Sequence, residues 1–343
     1  MRRPRGKRGF SFWVIAYSPR VGESSGMDWL IEGVLALFAV VFGFIPAQTT
    51  AYYAPTLSEP QSAVVIFGGD MMFDRTIRTA MEEKGGDHIF SCIDGVLREV
   101  DMVVANLEGP ITDYPSISQY SKPRDENNFT FTFPPSTAPL LFAHNIRLVN
   151  IGNNHIANFG REGMIQTKSW LDTAGVQYFG DPQSPEAERV ARTMIGGIAF
   201  SFVNWSDWTP AGMPTASNGA GIGNSTVAQI AKEKAAGRIV VVYTHWGEEY
   251  VPATERVKIL AHQFVDAGAE VVIGSHPHIV QEHEIYRGKY IYYSLGNFIF
   301  DQYWNDEVRT GLLVRAVFDT GGLRTVEEIP IWLERDRRTC VKE

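Results

Sequence analysis

Residues 63–74 read AVVIFGGDMMFD, a β-branched apolar run that ends in two glycines and a carboxylate. The same pattern, an apolar run followed directly by Gly, Asn, Asp or His, recurs along the chain. It is found at residues 102–109 (MVVANLEG), 146–155 (IRLVNIGNNH), 239–247 (IVVVYTHWG), 270–278 (EVVIGSHPH) and 290–297 (YIYYSLGN). Runs that are apolar at nearly every position are typical of strands buried on both faces of an α/β sheet.

A helix is predicted between two of these strands. Thr254 is a plausible N-cap, Gly268 a stop, and the apolar residues between them recur at helical spacing: Val257, Leu260, Ala261, Phe264 and Val265. Strand, helix and strand therefore alternate, which favours a layered α/β fold with its polar residues gathered at one rim.

The segments around these strands have weaker patterns. Residues 112–135 are rich in Tyr, Ser, Pro and Asn without a clear period, and we interpret them as a loop over the rim. Residues 312–333 read as two strands joined at 320–322, and the charged tail at 334–343 is expected to fray.

Composition limits the classes of function. Hydrophobic residues make up 44% of the 343 residues, enough for a large core. The 31 basic and 39 acidic residues give a formal net charge of −8, which argues against a nucleic-acid partner. An anionic substrate would need a metal or a local basic patch.

The N-terminal region resembles a membrane-targeting segment. Residues 1–28 are basic, and residues 29–47 (WLIEGVLALFAVVFGFIPA) carry one charge, so a transmembrane anchor, a cleaved signal and a buried core helix are all open. The first two place everything after about residue 50 outside the cytoplasm. Residues 48–61 then form a linker and residues 62–333 the folded domain, in a protein that is either membrane-bound or secreted.

The two cysteines, Cys92 and Cys340, lie far apart and lack the spacing of a thiolate zinc site or a redox motif. A disulfide between them and a pair of separate thiols both remain open.

Polar clusters at the strand exits supply carboxylate and amide oxygens and imidazole nitrogens, which suit Mn, Fe or Zn. The strongest signal is SHPH, because Pro277 fixes the relation of His276 to His278. The other candidate ligands also have ordinary alternatives, such as a helix cap, a turn or a core histidine: Asp70, Glu108, Asn154 and His245.

Six motifs in order, GGDMMFDR, NLEGPIT, NNHIANFG, THWGEEY, GSHPHIVQ and YSLGNFIFDQ, resemble the CapA family of capsule and poly-γ-glutamate synthesis proteins over residues 62–318. That family belongs to the calcineurin-like metallophosphoesterases. The resemblance implies two packed mixed β-sheets flanked by helices, with one or two divalent ions at one rim. It implies that Glu108 bridges the ions, with Asp70 and His278 on one side and Asn154, His245 and His276 on the other. His155 would then protonate a leaving oxygen or orient a phosphate or carboxylate.

Two positions depart from the pattern that the resemblance implies. Met72 stands where the wider superfamily has a histidine, so one ion would lose an imidazole ligand. Asn158 stands where the CapA pattern usually has Asp, which removes a charge that would orient His155.

Further polar and aromatic residues near the motifs are assigned supporting roles. Trp246 and Glu248, with Glu249 and Tyr250, either line a substrate wall or, for the aromatic rings, simply pack. Asn297 and Asp301 are expected to hold the histidines, since ligating imidazoles usually need an acceptor on the far nitrogen. Arg75 would bind an anion or pair with Asp74. Asn153 belongs to the polar turn before His155.

Three functions follow from these expectations. The first is metal-dependent hydrolysis or transfer in capsule or poly-γ-glutamate synthesis, export or anchoring, with an anionic polymer as ligand. The second is a non-catalytic accessory subunit that holds the polymer or other subunits of a capsule-synthesis complex. The third is a general periplasmic metallophosphatase that acts on phosphoesters.

Overall fold

The apolar runs of the sequence form the strands of two mixed β-sheets, as a computed structural model of the chain shows. The structure describes residues 61–123, 125–185, 189–208 and 223–342. All of them belong to one compact unit, Ser58–Glu343.

The first sheet has the strand order β14-β13-β12-β1-β2-β3-β4, with β11 also paired to β1. Its members are β1 (Ser62–Met71), β2 (Met102–Leu107), β3 (Ile146–Asn150), β4 (Gln177–Phe179), β11 (Asn297–Ile299), β12 (Thr310–Asp319), β13 (Gly322–Leu333) and β14 (Thr339–Val341). Strands β1 to β4 run parallel, and β12 to β14 add an antiparallel edge. The two strands predicted in residues 312–333 are confirmed.

The second sheet has the order β5-β6-β7-β8-β10-β9. Its members are β5 (Val190–Ile195), β6 (Ile198–Ser206), β7 (Ile239–His245), β8 (Val271–Ser275), β9 (His283–Tyr286) and β10 (Lys289–Tyr292). The central strands β6, β7, β8 and β10 are parallel, and the two edges are antiparallel.

The helices connect the strands and cover the sheets. They are α1 (Arg75–Lys84), α2 (Asp87–Phe90), α3 (Asp94–Arg98), α4 (Thr137–Ala143), α5 (Gly160–Ala174), α6 (Gly223–Ala235), α7 (Glu255–Ala267) and α8 (Asp306–Arg309), with a 3-10 turn at Glu126–Phe129. Helix α7 confirms the prediction: Thr254 is its N-cap, left-handed Gly268 its C-cap, and the five predicted apolar residues are buried.

Alternation along β1 and β7 explains why four layers form. Val65 of β1 and Val241 of β7 belong to one core between the sheets. Ile66 faces the helices of the first sheet, and Val240 faces those of the second. Each central strand is therefore buried on both faces, and the predicted class of two mixed sheets flanked by helices is confirmed.

Close backbone contacts fix the rim where the strands end. A Cβ on Gly69 would lie 1.8 Å from the carbonyl oxygen of Gly296, and one on Gly274 would lie 1.9 Å from that of Tyr293. Only glycine allows these approaches. The backbone just before Asp70 therefore packs directly against that of Gly296. The backbone just before the SHPH motif packs against that of Tyr293.

The C-terminal tail is ordered, so the expectation that it frays is wrong. Strand β14 pairs with β13, and Cys340 forms a disulfide with Cys92, 248 residues away in sequence. The disulfide therefore joins the last strand to the segment between α2 and α3.

The anchor or signal predicted at residues 29–47, with the linker up to residue 60, lies outside the described residues. Within the part of the chain that the structure describes, no helix has the length and apolar character needed to cross a membrane.

We expect the double substitution Cys92→Ser and Cys340→Ser to lower the free energy of unfolding by about 2–5 kcal/mol, because the disulfide closes a long loop of the unfolded chain. Urea unfolding followed by circular dichroism measures the change. A reductant should destabilise the wild-type chain and leave the double variant unaffected. Equal stability of the two proteins under oxidising conditions would contradict the expectation.

Candidate metal centre

The six predicted ligands meet where the parallel strands of both sheets end. In the first sheet, Asp70 is near the end of β1, Glu108 follows β2, and Asn154 follows β3. In the second sheet, His245 ends β7, and His276 and His278 follow β8. The carboxyl ends of the two sheets thus supply one shared cluster, as expected for an α/β rim.

Glu108 lies at the centre of this cluster. Its Oε1 atom is 3.7 Å from Nε2 of His278, 3.9 Å from Nε2 of His245 and 4.0 Å from Nε2 of His155. Both carboxylate oxygens are buried and have no hydrogen-bond partner among the described residues. Ligand atoms of Glu108, His276 and His278 all lie within 4.8 Å of one another, so these three form a possible metal-binding group.

Asn297 determines which nitrogen His278 offers to the site. The Asn297 amide nitrogen donates to Gln302 and to two backbone carbonyls, so its Oδ1 accepts from Nδ1 of His278 at 2.9 Å. The proton of the neutral ring is therefore on Nδ1, and the lone pair of Nε2 faces Glu108. This is the supporting role predicted for Asn297.

Ser275 and Asn106 both contact Nδ1 of His245. The Ser275 hydroxyl donates to the carbonyl of Thr244 (2.7 Å) and lies 3.0 Å from Nδ1, and the Asn106 amide nitrogen lies 3.3 Å from the same atom. Nε2 of His245 lies 2.8 Å from Oδ1 of Asn154. With its proton on Nδ1, the ring would offer Nε2, together with Oδ1 of Asn154, to a cation.

His155 is oriented by Asn158 despite the lost charge at that position. Oδ1 of Asn158 accepts from the Phe131 backbone N–H (2.8 Å) and from Nδ1 of His155 (3.2 Å). Nε2 of His155 therefore also points its lone pair toward Glu108. Met72, which replaces a histidine of the superfamily pattern, is fully buried in the core, and its sulfur accepts from the Asp74 N–H.

The SHPH turn carries backbone strain. His276 has φ 98° and His278 has φ 57°, both in the left-handed region that non-glycine residues rarely adopt. The His276 N–H donates to Oδ2 of Asp70 at 3.0 Å, which ties the turn to β1. Within the part of the chain that the structure describes, Nδ1 of His276 is buried without a hydrogen-bond partner, and the ring packs 4.1 Å from that of Trp208.

A chain of asparagines holds the carboxylate of Asp70, and three of its members were not predicted from the sequence: Asn106, Asn150 and Asn204. Nδ2 of Asn106 donates to Oδ1 of Asp70 at 2.8 Å. Oδ1 of Asn106 in turn accepts from Asn150 (2.9 Å) and Asn153 (3.2 Å), and Asn204 of the second sheet donates to Asn150 (2.9 Å). Amides at the ends of β2, β3 and β6 thus link the two sheets directly behind the site.

Burial sets the ionisation of the cluster. It raises the pKa of Asp70 to about 7. With the nearby charges of Asp70 and Glu249, it raises the pKa of Glu108 well above its ordinary value. Burial lowers the pKa of His278 to about 3 and that of His155 to about 4.

The pKa values of His245 and His276 also fall well below normal, chiefly through burial. The imidazoles are therefore neutral electron-pair donors at neutral pH. Next to them are carboxylates that ionise readily only beside a cation. Two unpaired carboxylate oxygens, an unpaired imidazole nitrogen and several lone pairs directed inward fit a divalent ion well.

Other predicted residues lie around this cluster in varied roles. Asn153 donates to the Leu107 carbonyl and accepts from the His155 and Ile156 N–H groups, so it shapes the turn. Trp246 is fully buried and donates to the Tyr293 carbonyl, so of its two predicted roles the structure shows packing. Glu248 is exposed.

The prediction that Asp301 supports a histidine is wrong. Its carboxylate instead binds Arg75 (2.5 Å) and the hydroxyl of Thr76 (2.9 Å). The side chain of Arg75 correspondingly pairs with Asp301 and not with Asp74. The physical reason is position, because the Asp301 carboxylate lies beside the first two residues of α1 and hydrogen-bonds to them.

The fold and the site define a four-layer α/β protein with a candidate metal centre at the shared rim of its two sheets. The chain belongs to the bacterial capsule synthesis protein family PGA_cap, which matches residues 64–302. This confirms the family indicated by the six motifs.

Three relatives show how far the similarity extends. The chain is 30% identical over 287 residues to the PGA biosynthesis protein CapA of Bacillus subtilis, covering 81% of this chain and 73% of that protein. It is 27% identical over 310 residues to the capsule biosynthesis protein CapA of Bacillus anthracis, covering 87% and 74%. It is also 27% identical over 267 residues to a probable polyglutamine synthesis accessory protein of Mycobacterium tuberculosis, covering 69% and 67%.

We expect His276→Ala and Glu108→Gln to weaken Mn or Zn binding by the full chain about a hundredfold or more, since each removes a ligand from a buried cluster. Elemental analysis after gel filtration measures the bound metal. His283→Ala is a matched control, because His283 is exposed on β9 and pairs with Glu328. Equal metal content in all four proteins would contradict the assignment.

Proposed function

We propose that this protein acts outside the cytoplasm in the synthesis, export or anchoring of poly-γ-glutamate or a related capsule polymer, as a metal-dependent hydrolase or transferase. The observation that carries the proposal is the buried Glu108 carboxylate, unpaired and surrounded by the Nε2 atoms of His155, His245 and His278. The names of the Bacillus relatives supply the biological setting.

The chemistry of the site supports hydrolysis or transfer. Asp70, Glu108, Asn154, His245, His276 and His278 would hold one or two ions of Mn, Fe or Zn. Such ions supply Lewis acidity at neutral pH. His155 is held by Asn158 with Nε2 directed inward, where it is placed to exchange a proton with a bound ligand.

The proposed location rests on two features. The disulfide between Cys92 and Cys340 fits an oxidising compartment, where disulfides persist. The basic residues 1–28 and the apolar residues 29–47 supply a sequence signal for a membrane anchor with the domain outside.

An accessory, non-catalytic role is the second candidate. Met72 removes an imidazole that the superfamily pattern supplies, and its sulfur is turned to the Asp74 N–H. The mycobacterial relative is itself described as an accessory protein. In this case the same centre would hold a polymer or a partner without turnover.

We expect the metal-loaded full chain to hydrolyse poly-γ-glutamate or a phosphodiester, and Glu108→Gln and His276→Ala to lower kcat/KM about a hundredfold or more, because each removes an ion-binding group. Chain-length analysis of the polymer and release of p-nitrophenol from bis-p-nitrophenyl phosphate measure the two activities. His283→Ala should retain wild-type rates. If no turnover of either substrate occurs at full metal occupancy, the catalytic proposal fails.

Complementation tests whether the metal centre is needed for polymer production in the cell. We expect this chain to restore polymer production to a Bacillus subtilis strain that lacks its CapA relative, and Glu108→Gln to fail, because the variant folds without its metal ligand. Polymer yield and immunoblots for the chain are the measurements. Restoration by Glu108→Gln at wild-type yield would show that polymer production does not need the metal centre, and would contradict the proposal.

A further inference from the structure

Arg75, at the start of α1, is a cation held beside the metal centre by two aromatic rings. Its guanidinium carbon lies 5.0 Å from the ring centre of Phe131 and 5.4 Å from that of Phe300. Nη2 pairs with Asp301 at 2.5 Å, and Nη1 donates to Asn128 at 3.2 Å. The planar group is thus fixed in one orientation before any ligand arrives.

The same two rings connect Arg75 to the histidines. Phe131 packs 4.3 Å from the ring of His155, and Phe300 packs 4.8 Å from that of His278. Arg75 is therefore separated from the histidines of the centre by one aromatic ring on each side, and it occupies no ligand position.

Three observations indicate that Arg75 does more than neutralise Asp301. Its backbone has φ 49°, a left-handed conformation that is costly for a residue with a side chain. Its Nε atom is buried without a hydrogen-bond partner among the described residues. Asp301 already accepts hydrogen bonds from the hydroxyl and backbone N–H of Thr76. Strain of this kind is typical of functional positions.

We propose that Arg75 binds an anionic group, a carboxylate or a phosphate, of a ligand whose reacting group lies at the metal centre. The inference deepens the proposed function and rests on it. It implies that the ligand carries at least two polar or acidic groups, as a polyanion does. A guanidinium fork matches both carboxylate and phosphate geometry. In a chain with net charge −8, such a fixed cation gives a polyanion a local point of attachment.

Isothermal titration calorimetry on the full chain, at matched Mn content, tests the proposal with two probes, γ-linked triglutamate and tripolyphosphate. We expect Arg75→Met to raise the Kd of at least one probe about ten- to a hundredfold, because a charged hydrogen bond is lost. The probe that is more strongly affected identifies the acid that Arg75 recognises.

Arg147→Met is the matched control. Arg147 also lies over an aromatic ring, that of Phe142, but it is at the start of β3, whereas the metal centre lies beyond the end of that strand. Its substitution should leave the Kd unchanged. Asp301→Asn removes the carboxylate that competes for Arg75 and should lower the Kd about two- to fivefold.

An unchanged Kd for both probes in folded Arg75→Met would overturn the proposal. If Arg75→Met does not fold, an unchanged or higher Kd in Asp301→Asn overturns it instead. The proposal is also overturned if the wild-type protein binds neither probe. The calorimetry measures binding and not turnover. A chain without hydrolytic activity can therefore still show weaker binding in Arg75→Met, so the failure of this proposal can be told apart from the failure of the catalytic one.

Discussion

The burial of Glu108 is the constraint on which the rest of the site depends. A carboxylate that is removed from water and lacks hydrogen-bond donors is costly to ionise unless a cation lies beside it. Three imidazoles surround it, and burial holds the pKa of each below its ordinary value. Neutral rings cannot balance a charged carboxylate, so the cluster is a candidate ion site.

The fold supplies the precision that such a site needs. Each imidazole is turned by an oxygen behind it, from Asn297, Ser275 or Asn158. The asparagine chain that begins at Asn106 then joins the sheets behind the ligands. The candidate ligands arise from two separate sheets, and they stay in register because hydrogen-bonded amides join those sheets.

Sequence patterns predicted the strands and the candidate ligands for one physical reason. Strands buried on both faces must be apolar almost throughout, so polar residues such as Asp70 and His276 mark where each strand leaves the core. Asp301 was misassigned because its partner, Arg75, is 226 residues away, and local pattern carries no information on such pairings.

Asn106 was missed because it lies inside an apolar run and looks like part of the strand. A signal was present, since single asparagines occur near the ends of three apolar strands, at positions 106, 150 and 204. An amide in such a place needs buried partners. Strand order depends on long-range packing, so periodicity could not have predicted that the ring of Trp208 lies against those of His245 and His276.

The left-handed backbone of His276 and His278 has a thermodynamic consequence. If an ion binds the native state and not the unfolded chain, its binding energy would offset the conformational energy of that turn. Ion binding and folding are then linked equilibria, so the melting temperature of the domain would rise with the activity of the ion around it. The lifetime of the folded protein would then depend on the supply of that ion.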